Sequence, residues 1–249
     1  MRIPIIQGVI DRRVLANWRC DPEVVARLLP PPFRPKLADD HAVAGVCLIR
    51  LRAIRPRLGG LVPGALGISS ENAAHRIAVE WDEGETTREG VYIPRRDTSS
   101  RLNALVGGRL FPGVHHRARF DVREGGDHLR IAVESEDGAT RLLVDARRVD
   151  ALPTSVVFPD LDAASAFFQT GACGYSPGRA VGALDGLELR TRRWEVEPLR
   201  VDDVRSSFFD DPARFPPGSA AFDCALLMRG VEHEWRSLPG LRTAATCAR

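Results

Sequence analysis

Titratable side chains are concentrated between residues 71 and 120, beside strand-like patterns and glycine turns. Glu71 precedes a strand that alternates apolar side chains, and His115 and His116 are adjacent further along. A carboxylate in an apolar pocket can act as a general acid or base, and imidazole can take or give a proton near pH 7. These residue types would suit proton transfer on a small molecule, although a surface pair of Glu71 with Arg76 is the structural alternative.

The two adjacent histidines lie on opposite faces if the segment is extended. His116 shares the apolar face of Ala118 and Phe120, which predicts that His116 points inward. His115 shares the face of Arg117. A core histidine that bonds to the backbone is the alternative interpretation for either residue.

Four further residues are candidates for binding a ligand. Arg109 could hold a carboxylate in its planar guanidinium, or could form a salt bridge. His75 lies on an apolar strand face, where it could line the same cavity or be a core histidine. Tyr92 and Tyr175 are the only two tyrosines, and each could hydrogen-bond a ligand.

Length and composition exclude several classes of protein. The chain has 249 residues, of which 44% are hydrophobic and 27% charged, and this fits one large β-rich domain or two small ones. A net charge of +2 is too small to indicate nucleic acid or an acidic membrane surface as a partner. Five cysteines without zinc spacing indicate a reduced, cytoplasmic protein with no metal site. The N-terminus is neither a signal peptide nor a membrane span.

Apolar periodicity and glycine turns predict one α+β domain, mainly antiparallel β, over residues 1–240, with a flexible tail at 241–249. Asp21-Pro22-Glu23 begins a helix, because it offers an N-cap carboxylate, a first-turn proline and an acidic residue. Two further helices are predicted at 99–106 and 160–170. Strands are predicted at 43–54, 77–81, 91–93, 115–122, 129–134, 141–149, 187–196 and 220–235.

Several short motifs, taken in their order, carry a family resemblance. They are Glu71-Asn72, Gly90-Val91-Tyr92, Gly108-Arg109 followed by Phe111-Pro112, and Trp194-Glu195-Val196-Glu197-Pro198-Leu199. With these motifs, between about residues 15 and 238, the chain resembles the acetoacetate decarboxylase-like superfamily, and within it a bacterial branch known as a domain of unknown function. The resemblance implies a cone- or barrel-like antiparallel sheet with a few flanking helices that encloses a pocket.

In the decarboxylases a lysine after the aromatic-proline pair forms a Schiff base with a β-keto acid. Here Gly113 stands at that place. A Schiff base needs an amine that can lose its proton, and the guanidinium of arginine stays protonated. The single lysine of the chain is Lys36. The resemblance also implies that Glu71 is a pocket acid and that Arg12 is close to a family arginine.

The first functional hypothesis is a cofactor-independent enzyme on a small carbonyl or carboxylate metabolite, with lyase, hydrolytic or cyclising acid/base chemistry. The first alternative is a non-catalytic small-ligand-binding protein, and the second is a Schiff-base decarboxylase that uses Lys36. No nucleic acid or membrane partner is expected, and a homo-oligomer stays open. The predicted catalytic residues are Glu71, His116 and His115, and the predicted substrate-binding residues are Arg109, Arg12, His75, Tyr92 and Tyr175.

Overall fold

The computed structural model describes residues 5–57, 68–107 and 112–243. Its strands join into one 13-stranded sheet. The strands are β1 (Ile6–Cys20), β2 (Arg34–Pro35), β3 (Leu37–Ala38), β4 (His41–Pro56), β5 (Ile68–Glu83), β6 (Thr86–Thr98), β7 (His116–Gly125), β8 (His128–Ser135), β9 (Arg141–Arg148), β10 (Cys173–Pro177), β11 (Ala183–Thr191), β12 (Glu197–Ser206) and β13 (Ala220–Arg242). The helices are α1 (Pro22–Leu28), α2 (Arg101–Val106) and α3 (Leu161–Gln169).

The three helices begin where the sequence predicts capping side chains. Asp21 accepts a hydrogen bond from the backbone N–H of Val24 at 3.1 Å. Ser100 accepts from Asn103 N–H at 3.1 Å, and Asp160 accepts from the first turn of α3. Each cap satisfies a backbone donor that has no partner within the helix. All three predicted helices are therefore confirmed, and none of the described helices is long and apolar enough to cross a membrane.

The predicted strands are present, but five strands were not predicted: β1, β2, β3, β10 and β12. β1 was missed because Asp11, Arg12 and Arg13 interrupt its apolar pattern. β13 extends to Arg242, which pairs with Ala183, so the tail predicted at 241–249 begins inside a strand. Residues 244–249 lie outside the described part of the chain, and the single-domain boundary at residue 240 stays a prediction.

The strand pairings close two rings that share a wall. The shared wall consists of β13, β1, β4, β5 and β6. The first ring closes through β7, β8, β9 and β12, and the second closes through β10 and β11. The pairs β6–β7 and β6–β10 are parallel, and the other pairs are antiparallel. The predicted α+β, mainly antiparallel architecture with a ring-like sheet is confirmed.

Alternation along the shared strands sends successive side chains into different rings. Val14 on β1, Leu48 on β4 and Ile77 on β5 belong to a continuous core cluster with β8 and β9, which fills the first ring. Leu15 and Cys47 instead belong to a cluster on the opposite face, where α3 packs. The first ring is thus a packed core, and the second ring is filled only in part.

Candidate functional site

A small cavity of about 90 Å³ lies within the second ring, between β4, β5, β6, β11 and β13. Its apolar wall consists of Ile49, Leu51, Ile54, Pro112, Leu187 and Trp235. Its polar lining includes Ser70, Asn72, Arg96, Asp97, Asn103 and His115. A larger groove of about 740 Å³ crosses β7, β8 and β9, but it is open to solvent and lined by mixed charges. The enclosed cavity is the better candidate site, because low-dielectric walls strengthen every polar interaction inside it.

Arg96 is the cation of this cavity, and the other charged lining residue, Asp97, pairs with Arg95. Its Nε donates to Ser176 Oγ at 2.9 Å, and Ser176 is buried on β10. Within the described part of the chain, no carboxylate lies within ion-pair distance of the Arg96 guanidinium. Burial lowers the pKa of Arg96 to about 10, which leaves it a cation at neutral pH. A half-buried cation without a counter-ion favours an anionic ligand.

His115 is a neutral base beside this cation. Its Nδ1 lies 3.0 Å from the carbonyl oxygen of Gly113, so Nδ1 carries the proton and Nε2 keeps a free lone pair. Burial, with the charge of Arg96 as a smaller cause, lowers the pKa of His115 to about 4. Gly107 allows the ring to lie there, because a Cβ at Gly107 would be 2.6 Å from Nδ1.

A hydrogen-bonded network fixes the polar end of the cavity. Thr98 Oγ1 donates to Asn72 Oδ1 at 2.8 Å, and Asn72 Nδ2 donates to Ser70 Oγ at 3.0 Å. Asn103 Nδ2 donates to the same Ser70 hydroxyl at 3.3 Å. Side chains held this way present fixed dipoles to a ligand.

Glu71 belongs to a charged network outside the cavity. Arg12 Nη2 donates to Glu71 Oε2 at 2.5 Å, and Arg50 Nε donates to Glu71 Oε1 at 2.6 Å. Arg12 is fully buried and also pairs with Glu124. Glu71 and Arg12 therefore lie together, but neither lines the described cavity. The alternative surface pair of Glu71 with Arg76 does not form, because Arg76 is buried on the other face of β5.

His115, and not His116, reaches the cavity, which corrects the predicted orientation. β7 begins at His116, and its face with Ala118 turns toward the first ring. His116 lies at the rim of that ring, where its side chain is 38% exposed and its Nδ1 lies 3.2 Å from Asp137 Oδ2. His115 precedes the strand and follows the turn at Gly113, so strand alternation does not govern it.

His75 lies in the first ring and does not line the cavity. Its ring packs against Phe208 with centroids 4.7 Å apart, and the residue is 1% exposed. Burial lowers its pKa to about 3. Neither ring nitrogen has a hydrogen-bond partner among the described residues. A further hollow of about 280 Å³, smaller than the groove across β7, β8 and β9, lies beside His75 at the open end of the first ring.

The other predicted binding residues also lie away from the cavity. Tyr92 and Tyr175 pack against Phe33 in the first core cluster, with ring centroids 5.9 and 5.7 Å from it. Burial raises the pKa of both phenols. Arg109 lies outside the described residues, so its predicted role stays a prediction.

Lys36 does not line the cavity either. Its Nζ donates to Glu89 Oε2 at 2.6 Å and to Thr170 Oγ1 at 2.8 Å. The ammonium of Lys36 is therefore engaged in an ion pair away from the cavity. In the ranges 5–57, 68–107 and 112–243, no three histidine, cysteine, aspartate or glutamate side chains converge as metal ligands.

Arg96 is the site residue that sequence reasoning missed. Arg95 and Arg96 are adjacent in β6, so alternation sends one to each face. Arg95 bonds to Asp97 at 2.7 Å and to Asp137 at 2.8 Å. Two adjacent arginines in a strand could have indicated from sequence that one of them points toward the cavity. Only the structure shows which of the two has no carboxylate partner among the described residues.

Solved structures with the same fold cover almost the whole chain. Acetoacetate decarboxylase from Legionella pneumophila matches with a TM-score of 0.57 and 10% identity, over 96% of this chain and 88% of that chain. An acetoacetate decarboxylase-like enzyme from Sphingomonas wittichii RW1 matches with a TM-score of 0.56 and 13% identity, over 96% and 92%. The enduracididine biosynthesis enzyme MppR, complexed with pyruvate, matches with a TM-score of 0.53 and 12% identity, over 96% and 90%. At these identities the likeness concerns the fold.

Sequence comparison identifies the family directly. No match was found among curated proteins. Residues 10–232 match the pattern of a family described as an uncharacterized conserved protein, DUF2071. Because this match spans most of the chain, the chain belongs to the DUF2071 family, and its fold is that of the solved acetoacetate decarboxylase structures.

Proposed function

We propose that this protein is a cofactor-independent enzyme that moves a proton on a small carboxylate metabolite with a neighbouring carbonyl group. The observation that carries the proposal is the juxtaposition of Arg96, which has no carboxylate partner among the described residues, with neutral His115 in one small cavity. Glu71 and His116, the predicted proton-transfer residues, are replaced in this role by His115, because they do not line the cavity.

The arrangement assigns one task to each group. Arg96 would bind the substrate carboxylate through its planar guanidinium, and Ser176 would hold that guanidinium in place. His115 Nε2 would then take a proton from the carbon next to the carbonyl group. The C–H electron pair moves to the carbonyl oxygen and leaves an enolate. The imidazolium can return the proton to the same carbon, or the enolate can react further in lyase or cyclising chemistry.

Two features support a small substrate. The described walls enclose about 90 Å³, which is the liquid volume of roughly three water molecules. The fold neighbour MppR is described as complexed with pyruvate, a small carboxylate that carries a carbonyl group.

The second candidate function is binding without turnover. Arg96 alone would suffice to hold an anion, and the ammonium of Lys36 is engaged in an ion pair away from the cavity. This candidate differs from the first only in whether His115 receives a proton from the ligand.

Proton exchange separates the two candidates. We would incubate the protein with pyruvate in D₂O and follow the loss of the methyl proton signal by NMR, with thermal-shift measurements in parallel. The enzyme proposal predicts exchange by the wild type and by His116→Gln, none by His115→Gln, and neither exchange nor ligand stabilisation for Arg96→Met. Stabilisation without exchange by the wild type would identify a binding protein, and full exchange by His115→Gln would refute the role of His115.

A further inference from the structure

Three arginines on one face of the shared wall lack carboxylate partners within the described residues. They are Arg13 on β1, Arg76 on β5 and Arg96 on β6. Arg13 Nε donates to Cys47 Sγ at 3.3 Å, and its Nη1 donates to Met228 Sδ at 3.9 Å. Sulfur is a weak acceptor, so these contacts orient Arg13 without neutralising its charge.

Arg76 is also buried without a counter-ion. Its Nη2 donates to the side-chain oxygen of Asn17, and its Cζ lies 4.9 Å from the ring centroid of Phe168. Its Nε has no hydrogen-bond partner in the described ranges. Asp185 on β11 accepts from Gly113 N–H at 3.3 Å and Asp223 on β13 bonds to Ser155, and neither carboxylate pairs with Arg76. Buried charges are normally paired, so this arrangement is unusual.

Arg13 and Arg76 lie on the same face of the shared wall as residues that line the cavity, but they are not part of its lining. Arg13 pairs in register with Ile49, which lines the cavity. Arg76 is two residues from Ala74, which also lines it and which pairs in register with Cys47 and Arg96. All three guanidinium groups therefore add to a positive potential inside the same low-dielectric space.

We infer that the cavity selects dianionic ligands, small dicarboxylates, over monoanions of the same shape. The inference rests on the proposed function, in which Arg96 binds one carboxylate by direct contact. The second negative charge gains from Arg13 and Arg76 through space, although neither touches the ligand. This electrostatic gain in affinity grows with the charge of the ligand. An effect through packing contacts would instead be the same for ligands of equal shape and different charge.

Three ligands of nearly equal shape test the inference: malonate, its monoamide malonamate and the neutral diamide malonamide. Affinities are measured by calorimetry at pH 7.5 on the full chain. We expect malonate to bind at least about tenfold more tightly than malonamate, and malonamide to bind weakest. Arg13→Met keeps an apolar side chain among Met228 and Trp194, and it should weaken malonamate about threefold and malonate about tenfold. Arg119→Met removes the same charge from an exposed position on β7 and should change neither affinity.

The outcomes separate this inference from the proposed function. Equal affinities of wild type for malonate and malonamate, both lost in Arg96→Met, would overturn the dianion preference and leave the carboxylate site intact. If neither malonate nor malonamate binds, the proposed function itself is refuted. An equal loss of all three ligands in Arg13→Met, malonamide included, would mean that Arg13 acts on the shape of the wall, which also overturns the inference.

Discussion

The two rings of the sheet each contain an arginine and a histidine, which are buried in the first ring and half-buried in the second. In the first ring Arg12 is held by two carboxylates, and His75 is enclosed by packed side chains. In the second ring Arg96 has no carboxylate partner among the described residues, and His115 keeps Nε2 free beside a cavity. A satisfied charge inside a filled core stabilises the fold, whereas an unsatisfied charge beside open space favours a ligand.

This contrast between the rings changes which residues form the candidate site, compared with those that the family resemblance implied. Glu71 and Arg12 were expected in the pocket, and they do lie together, with Arg50 as a second partner of the carboxylate. Both carboxylate oxygens of Glu71 therefore already accept hydrogen bonds from guanidinium groups of the protein. The second ring, with Arg96 and His115, is where acid/base chemistry has both a charge to bind substrate and a base to move a proton.

Replacing the arginine of each ring should give the largest effect, because the two replacements should change the free energy of unfolding differently. Arg12→Met breaks a buried ion pair and should lower the free energy of unfolding by about 4 kcal/mol. Arg96→Met removes an unpaired cation and should leave that free energy unchanged or higher, while carboxylate-induced stabilisation disappears. Urea denaturation with and without malonate measures both quantities. A large loss of stability in Arg96→Met would show that its charge is needed for folding and would erase the contrast.

Lowering the pH should reduce the free energy of unfolding through His75, the buried histidine of the first ring. The pKa of His75 is about 3 in the native state, against an ordinary value of 6.5, so only the unfolded chain binds this proton between these values. Stability is therefore full above pH 6.5 and falls as the pH is lowered. His75 alone should cost roughly 3 kcal/mol between pH 6.5 and pH 4.

His75→Leu is the matched variant for this prediction, because it removes the titrating group and keeps an apolar side chain. Its unfolding free energy, measured by urea titration at each pH, should fall less on acidification than that of the wild type. His115 and His233 have pKa values lowered to about 4 by burial, so a residual acid dependence is expected. Identical pH profiles for the two proteins would show that His75 is not shielded in the way the structure indicates.

Gly107→Ala tests whether the position of the His115 imidazole in the second ring matters for proton transfer. The new Cβ would lie 2.6 Å from His115 Nδ1 and must displace the imidazole. Misplacing a base by about 1 Å can lower a rate by roughly a hundredfold, so proton exchange should fall by at least about tenfold. Gly125→Ala is the control, because a Cβ there meets no atom within 4 Å. Unchanged exchange in Gly107→Ala would mean that the position of His115 does not limit the reaction.

Ser176→Ala should have the smallest effect. It removes the hydroxyl that accepts from Arg96 Nε at 2.9 Å, and one lost hydrogen bond of about 1 kcal/mol corresponds to roughly fivefold weaker malonate binding. Malonamide affinity should be unaffected, and Ser176→Thr should restore binding because it keeps the hydroxyl. If malonamide weakens equally, Ser176 supports the wall and does not orient the guanidinium.

Local signals were sufficient for the helices and for most strands. Asp21 and Asp160 mark helix starts because a carboxylate satisfies free backbone donors wherever it stands. The strands of the β7–β9 meander were predicted because their apolar alternation is uninterrupted. β1 was not, because Arg12 and Arg13 break its pattern, and their burial becomes intelligible only once the strand is seen as a wall with a ring on each side.

By itself, the sequence determined the fold class, the family resemblance and the absence of a lysine at the place of Gly113, because these depend on residue identity and order. Only the tertiary structure decided which histidine faces a cavity, that Glu71 is already paired, and that Arg96 is not. Strand alternation assigns a side chain to one of two faces, but it does not show what lies beyond each face. In a sheet that closes into two rings, one face meets packed core and the other meets open space, and this closure depends on contacts between residues far apart in the chain.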